Sequence, residues 1–271
     1  MEHPTGLSVT EHVPPDRTRG DPVVVLVHGS LDRSTSFTRV LRRLGDLHTV
    51  VYDRRGYHRS RDAVPLRTTL DGHIDDLIAV IGGRPAVVVV GHSYGGTVAL
   101  GAALRHDPPP TITSVAAYEP PLPWLALWST RSTPAGGRTA GEDPGEAAEH
   151  FFRRVVGPEA WDRLSDSARE ERRADGPALV AELDAIRMAE APFDVASLRL
   201  PATYGRGERS VPHHRAGVEW LTDHTPGAEL VDIAGAAHGA HLSHPDGFAA
   251  FVRRAVDRSF ESATTRVGHP A

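Results

Sequence analysis

The sequence contains no cysteine and no lysine. Without cysteine, the chain can form no disulfide and offers no thiolate nucleophile and no Cys-ligated zinc site. Without lysine, it has neither a Schiff-base amine nor the lysine of a phosphate-binding Walker loop, and all 30 basic residues are arginine. The formal net charge of −5 argues against a general surface for nucleic acid or anionic membranes.

Long apolar runs are also missing. No stretch reaches the roughly 18 consecutive apolar residues of a transmembrane helix, and Met1 to Thr5 lack the basic and apolar segments of a signal peptide. We therefore expect a cytoplasmic protein that acts on a small molecule, with no membrane or nucleic acid as partner. The oligomeric state stays open. The 271 residues suffice for one α/β domain that carries an insertion.

Two parts of the chain alternate between strand and helix patterns. The β-branched apolar runs at 22–27, 48–53, 85–90 and 112–118 are typical of strands buried on both faces. Between and after them, segments such as 34–44, 69–81, 211–222 and 245–260 carry apolar residues at helical spacing. The alternation predicts an α/β fold with a doubly wound, mostly parallel sheet.

The segment 122–192 breaks this alternation. It shows no convincing strand and offers helical segments rich in charge, glycine and proline at 145–156, 158–175 and 177–190. We interpret it as a helical cap insertion between two core parts, residues 1–121 and 193–271. Most of its aromatic residues are expected to pack the cap itself. The candidates for binding an apolar part of the substrate are Leu31, Trp124, Trp128 and Phe151.

The run at 85–90 leads directly into Gly91-His92-Ser93-Tyr94-Gly95 and then into a helix. The two glycines flank Ser93 at i−2 and i+2, where side chains would clash if the turn were sharp. Such a turn holds its serine in a strained conformation with the hydroxyl exposed above the sheet, as in a nucleophile elbow. The G-x-S-x-G pattern alone also fits an ordinary turn, but the strand before it and the helix after it favour the elbow.

A serine hydroxyl becomes a nucleophile only when a base takes its proton. Two further strands are predicted at 201–206 and 228–233, and His238 lies in a Gly- and Ala-rich loop after the second of them. Loops at the carboxyl ends of parallel strands share one edge of the sheet. His241 and His244 follow at i+3 and i+6, so a metal cluster is the alternative interpretation. No carboxylate pattern accompanies them; we expect both to be structural, and neither a metal nor a cofactor to be required.

Taken together and in this order, the motifs resemble the α/β-hydrolase superfamily over nearly the whole chain. His28-Gly29-Ser30 is similar to its oxyanion loop, and residues 52–60 to its D-x-R-G-x-G-x-S turn, although His58 stands where glycine is usual. Residues 238–248 are similar to its catalytic-histidine loop and final helix. The resemblance implies an oxyanion hole formed by the backbone N–H groups of Ser30 and Tyr94.

The acid of the catalytic triad departs from the common pattern. The family often places an aspartate after the penultimate strand; counting from Gly205 leads to Glu208 there, and counting from Gly207 leads to Ser210. The family's other location follows the strand beside the elbow strand, where this chain has Glu119. We favour Glu119 and keep Glu208 as the alternative acid.

These residues predict a serine hydrolase that cleaves an ester, thioester or lactone of a small substrate with an apolar acyl part. Ser93, His238 and Glu119 form the expected triad, which acts through an acyl-enzyme. Two alternatives use the same site for acyl transfer or cyclisation, or for a perhydrolase-like reaction. A third is a non-catalytic binding protein that keeps the fold.

Overall fold

The computed structural model describes residues 5–18, 20–105, 111–128, 141, 143–186 and 190–267. Within these ranges, seven strands form one sheet in the order β1-β3-β2-β4-β5-β6-β7. The strands are β1 (Val9–His12), β2 (Val23–Val27), β3 (Thr49–Tyr52), β4 (Val87–His92), β5 (Ile112–Tyr118), β6 (Ala202–Gly207) and β7 (Glu229–Ile233). Only β1 pairs antiparallel, with β3, so the predicted mostly parallel, doubly wound sheet is confirmed.

The helices pack on both faces of this sheet and beyond its edge. They are α1 (Thr38–Leu41), α2 (Leu70–Ile81), α3 (Tyr94–Ala103), α4 (Pro144–Val155), α5 (Pro158–Asp162), α6 (Asp166–Ala174), α7 (Gly176–Ala185), α8 (Pro212–His224), α9 (Ala240–Ser243) and α10 (Pro245–Val267). Short 3₁₀ turns lie at Ser34–Phe37, His58–Ser60 and Val195–Ser197. No helix in the described ranges is both long and apolar enough to cross a bilayer.

The buried strands explain the layered core. Successive side chains of a strand point to opposite faces, so a strand covered on both sides reads as a continuous apolar run. In β2, Val23, Val25 and Val27 belong, on one face, to the apolar cluster that includes residues of α2 and α3. Val24 and Leu26 pack against α1 and α10 on the other. All five residues of β2 are fully buried.

Helices α4 to α7 lie between β5 and β6 in the chain and form a separate apolar cluster. Phe151, Phe152 and Trp161 pack there with Leu31 and Tyr57, which belong to the loops after β2 and β3. The four helices therefore lie against the edge where the parallel strands end. The limits of the insertion, 122–192, stay a prediction, because residues 129–140, 142 and 187–189 are outside the described ranges.

One helix prediction in this segment was wrong. The sequence predicted a continuous helix over 158–175, but α5 ends at Asp162 and α6 begins at Asp166. Ser165 is the N-cap of α6, and its hydroxyl accepts a hydrogen bond from the N–H of Ala168 at 3.2 Å. A serine in this position satisfies an otherwise unpaired helix donor, which favours a new helix start over continuation of the old one.

Candidate active site

Ser93 is the single residue between β4 and α3. Its backbone has φ 54° and ψ −129°, a combination that is strained for any residue other than glycine. Two hydrogen bonds hold it there: its N–H donates to the carbonyl of Tyr118 at 2.8 Å, and its carbonyl accepts the N–H of Gly96 at 2.7 Å. The turn is therefore fixed by the neighbouring strand and by the first turn of the helix.

The glycines around Ser93 are required by close backbone contacts. A Cβ atom on Gly91 would lie 2.1 Å from the carbonyl oxygen of Gly95. A Cβ on Gly95 would lie 2.2 Å from the carbonyl oxygen of Val27. Neither position can hold a side chain unless backbone moves, which is the clash expected from the sequence pattern.

Glu119 is the first residue after β5 and lies beside this turn. Its side chain is buried, and its backbone also lies in the left-handed region, with φ 45°. Its Oε1 accepts the backbone N–H of Gly207 at 2.7 Å. Its Oε2 lies 2.8 Å from Nδ1 of His238. The structure thus joins the carboxylate after β5 to the imidazole after β7.

The loop that carries His238 is also held by a hydrogen bond from the end of β4. The carbonyl oxygen of His238 accepts a hydrogen bond from Nε2 of His92, at 2.8 Å. Because His92 immediately precedes Ser93, this bond connects the turn of the serine to the histidine loop. The position of the His238 loop is therefore coupled to that of the turn that holds Ser93.

A second imidazole, which the sequence analysis did not single out, reaches the same carboxylate. His214, near the start of α8, has its Nδ1 2.9 Å from Oε2 of Glu119. The rings of His214 and His238 have their centroids 4.3 Å apart. The available signal was the pair His213-His214 at the start of the helix after the penultimate strand, but nothing in the sequence shows which carboxylate it faces.

Burial and hydrogen bonding act in opposite directions on Glu119. Burial raises its pKa, but the hydrogen bonds and positive partial charges of His214 and His238 outweigh it, so the pKa of Glu119 lies well below its ordinary value. An ionised carboxylate can only accept hydrogen bonds, so Nδ1 of each imidazole carries the proton. Burial and the neighbouring His214 lower the pKa of His238, against the opposing effect of Glu119.

These groups share one pocket. In the described part of the chain, its polar lining consists of Ser30, Ser93, Glu119, His214 and His238. The apolar lining comes from the chain after β5 and from α4, α7 and the residue after α7: Pro121, Pro123, Trp128, Phe151, Val155, Leu183 and Ile186.

The four predicted substrate-binding residues divide into two pairs. Trp128 and Phe151 line the pocket. Leu31 is instead buried in the apolar cluster beneath α4 to α7. Trp124 packs against the main core, with its ring edge-on to Phe193 at a centroid distance of 5.6 Å. Leu31 and Trp124 are therefore not among the residues that line the pocket.

The loop after β2 is fixed by a buried arginine. Arg54 donates from Nε to the carbonyl of His28 and from Nη2 to the carbonyl of Gly29, both at 2.9 Å. In a trans peptide the N–H points away from the preceding carbonyl, so the N–H of Ser30 faces away from Arg54. Tyr94 is the first residue of α3, and its N–H has no acceptor within the helix.

Helix α7 contributes a buried acid to this loop. Glu182 of α7 accepts from Nη1 of Arg54 at 2.6 Å and from the hydroxyl of Ser30. Burial alone would raise the pKa of Glu182. The charge of Arg54 and the contact with His73 have the opposite and larger effect, so the pKa is lowered to about 2. The sequence analysis missed Glu182, because one acid in a helical segment carries no signal of burial.

Glu208, the alternative acid, lies elsewhere. It is exposed, and its Oε2 accepts the N–H of Gly235 at 2.8 Å. Ser210 stands three residues after Gly207 and is buried. The N–H of Gly207 itself donates to Glu119. The carboxylate that reaches the end of β6 therefore comes from Glu119, directly after β5.

The three histidines considered as metal ligands do not form one group. His238 contacts Glu119, whereas Nε2 of His241 lies 3.3 Å from Asp32. His244 has its Nδ1 2.9 Å from the hydroxyl of Ser243. Among the described residues, two groups bring three possible ligand atoms within 4.8 Å of one another: Glu119, His214 and His238, and Asp32, His92 and His241. In the first group, the hydrogen bonds of the imidazoles to Glu119 account for the arrangement.

Known proteins show similarity over most of the chain. The chain is 28% identical to the polyketide synthase ThaQ of Burkholderia thailandensis over 257 residues, which is 89% of this chain but only 12% of the synthase. The enol-lactonase of Burkholderia xenovorans LB400 has a similar structure, with a TM-score of 0.71 and 18% identity over 93% of this chain and 95% of that one. MenH from S. aureus gives a TM-score of 0.70 and 15% identity over 93% and 98%. Residues 24–251 match the alpha/beta hydrolase family, and the chain belongs to that family.

Proposed function

We propose that the protein is a serine hydrolase that cleaves an ester, thioester or lactone through the triad Ser93, His238 and Glu119. The observation that carries the proposal is the 2.8 Å contact between the buried carboxylate of Glu119 and Nδ1 of His238. It lies in the pocket that also contains Ser93, which stands in the strained turn between β4 and α3. A base oriented by a carboxylate and a serine in the same pocket are the parts of acyl transfer through an acyl-enzyme.

In the first half-reaction, Oγ of Ser93 attacks the carbonyl carbon while its proton passes to Nε2 of His238. The tetrahedral oxyanion accepts hydrogen bonds from the N–H groups of Ser30 and Tyr94. His238 then gives its proton to the leaving group, and the acyl group stays on Ser93. Glu119 stabilises the transient positive charge on the imidazole.

In the second half-reaction, His238 takes a proton from water, and the resulting hydroxide attacks the acyl carbon. The tetrahedral intermediate collapses, Ser93 regains its proton from His238, and the carboxylic acid leaves. The apolar lining from Trp128, Phe151 and Leu183 supports an apolar acyl group, because burying it there removes apolar surface from water.

A second candidate is transfer of the acyl group to an acceptor other than water. The similarity to a segment of a synthase, rather than to a hydrolase alone, favours it. Both candidates use the same acyl-enzyme and differ in the second half-reaction. Product analysis with an added alcohol or amine distinguishes them by the ratio of ester or amide to free acid.

The test is hydrolysis of a series of short-chain aryl esters, together with labelling by a fluorophosphonate. We expect Ser93→Ala to abolish labelling and to lower kcat by at least about 10³-fold. Glu119→Gln should lower kcat by about 10³- to 10⁴-fold, because an amide cannot stabilise the imidazolium and favours the wrong tautomer. Glu208→Gln, the matched control at an exposed glutamate, should stay within about twofold of the wild type.

The outcomes separate the candidate residues. A large loss in Glu208→Gln with an active Glu119→Gln would place the acid after β6 and contradict the proposed triad. Stoichiometric labelling of Ser93 without turnover would keep the nucleophile and reject the aryl esters as substrates. Wild-type protein that is neither labelled nor active would support a non-catalytic binding protein.

A further inference from the structure

His214 is a pocket residue that the triad does not need. Catalysis by a serine, a histidine and an acid requires one imidazole on the carboxylate, whereas Glu119 has two. The inference that follows rests on the proposed function, since it concerns the substrate of the same pocket.

The contact with Glu119 fixes the tautomer of His214. The ionised carboxylate accepts hydrogen bonds only, so Nδ1 of His214, 2.9 Å from Oε2, carries a proton. In the neutral imidazole, Nε2 is then an acceptor with a free lone pair. Among the described residues, no side chain or backbone group donates to it.

The position of the ring leaves this acceptor to the pocket. His214 lines the pocket, and 15% of its side chain remains exposed. Most other polar groups of the lining are already used: Ser30 donates its hydroxyl to Glu182, and the triad uses Ser93, Glu119 and His238. The indole N–H of Trp128 is also without a hydrogen-bond partner, but it is a donor. Nε2 of His214 is thus a hydrogen-bond acceptor that the reaction leaves free.

The ring is also held in place before any substrate binds. The indole of Trp128 lies on one side, at a centroid distance of 5.3 Å and an interplanar angle of 31°. His213 contacts the ring edge-on at 4.5 Å. Together with the bond to Glu119, the contact with Trp128 fixes the direction in which Nε2 points, which is what a specific hydrogen bond to a ligand requires.

We propose that His214 determines specificity by accepting, at Nε2, a hydrogen bond from a hydroxyl or amide N–H group of the substrate. The preferred substrate is therefore an acyl compound that is mostly apolar and carries one such donor. A substrate without the donor leaves Nε2 covered by apolar groups and unpaired, which costs about tenfold in kcat/KM.

The experiment compares matched pairs of aryl esters. In each pair, one acyl chain carries a hydroxyl group and the other carries a methoxy group at the same carbon, and the pairs move this carbon along the chain. The methoxy group has no proton to donate. The readout is the ratio of kcat/KM within a pair, so an overall change of rate in a variant does not affect it.

Two variants of His214 distinguish the role of Nδ1 from that of Nε2. In His214→Asn, the amide nitrogen takes the place of Nδ1 and can still donate to Glu119, but no atom replaces Nε2. In His214→Gln, the amide oxygen can reach the position of Nε2 and accept. His213→Asn is the matched control, because this neighbouring histidine contacts Trp128 and His214 but does not line the pocket.

We expect the wild type to prefer the hydroxyl substrate about tenfold in at least one pair. His214→Asn should bring that ratio close to one, His214→Gln should retain part of it, and His213→Asn should leave it unchanged. No preference in any wild-type pair, or a preference that survives His214→Asn, would overturn the proposal. Loss of Ser93 labelling in both His214 variants would overturn it as well, since His214 would then serve the triad.

Failure of the proposed function looks different. In that case the wild type is neither labelled by the fluorophosphonate nor active on any ester, whichever substituent the acyl chain carries.

Discussion

At the scale of single residues, Glu119 is the centre of the candidate site. A buried carboxylate is costly unless its oxygens are paired. Here three N–H donors compensate it: the backbone of Gly207 and the imidazoles of His214 and His238. Charge-assisted hydrogen bonds of this kind keep the group ionised. An ionised acid in this place is what a triad histidine needs for orientation and charge stabilisation.

In the proposed reaction the pH dependence follows from His238. As the proposed general base, His238 must be unprotonated, and burial together with the nearby His214 lowers its pKa from the ordinary value of 6.5. We therefore expect kcat/KM to rise with pH to a plateau, with the midpoint of the rise below 6.5. In Glu119→Gln, the midpoint should fall further, because Glu119 opposes the other two effects.

The measurement is kcat/KM for an aryl ester from acid to mildly alkaline pH, in the wild type and in Glu119→Gln. A substrate without titratable groups keeps the profile specific to the free enzyme. A wild-type midpoint above 6.5, or a higher midpoint in Glu119→Gln, would contradict the assigned environment of His238.

The sequence predicted the residues of the site that belong to local patterns. Ser93 is marked by its flanking glycines, and His238 by its place after the last strand. The contact of Glu119 with His238 follows from the position of Glu119 at the end of β5, next to β4. His214 and Glu182 could not be found in this way, because their partners are 95 and 128 residues away in the chain and only the fold brings them together.

At the scale of secondary-structure elements, the site depends on how closely α3 approaches β2. The carbonyl oxygens of Val27 and His28 lie 2.2 and 2.6 Å from the position of a Cβ on Gly95. Both contacts are with backbone, so the helix can start in this place only if residue 95 has no side chain. The elbow and the loop of Ser30 are thereby packed directly on each other.

This packing predicts that adding one methyl group at residue 95 has a large effect on stability or activity. We expect Gly95→Ala to destabilise the protein by more than about 3 kcal/mol or to shift α3 enough to lower activity by at least about 10²-fold. The control is Gly83→Ala, since a Cβ on Gly83 would meet no atom within 4 Å. Urea unfolding and aryl-ester turnover measure the two effects. Wild-type stability and activity in Gly95→Ala would contradict the close approach.

The sequence also predicted which strands and helices form better than it predicted the residues at which they end. The strands of the sheet follow from their β-branched runs, because burial on both faces leaves a continuous apolar pattern. The helical pattern over 34–44 is instead a 3₁₀ turn at Ser34–Phe37 followed by the short α1, which ends at Leu41. Apolar spacing does not distinguish these helix types over so few residues, and caps such as Ser165 decide where helices stop.

At the scale of the whole molecule, a buried ion pair connects α7 to the loop after β3. Nη1 of Arg54 and Oε2 of Glu182 are 2.6 Å apart, and both side chains are completely buried. The guanidinium also lies 4.9 Å from the ring centroid of Tyr57 and 5.0 Å from that of Tyr94. Because Arg54 holds the loop of Ser30 as well, the same pair joins α7, that loop and the start of α3.

Glu182→Gln should therefore destabilise the protein strongly at neutral pH. Removing one partner leaves the charge of Arg54 buried and uncompensated, at a cost of about 3 kcal/mol or more. The control is Glu159→Gln, which breaks an ion pair with Arg163 whose two side chains are 88% and 73% exposed and should have no measurable effect. The measurement is the free energy of unfolding in urea for Glu182→Gln, Glu159→Gln and the wild type.

The difference in stability between the wild type and Glu182→Gln should depend on pH if it is electrostatic in origin. The pKa of Glu182 falls from 4.5 to about 2 on folding, so its ionised form contributes about 3 kcal/mol above pH 4.5. The contribution is lost as the pH falls from 4.5 towards 2, because the folded protein must then bind a proton that the unfolded chain has already taken up. The stability of the wild type should thus approach that of Glu182→Gln in this range. A difference that stays constant with pH would mean that Glu182 stabilises the protein through packing and not through its charge.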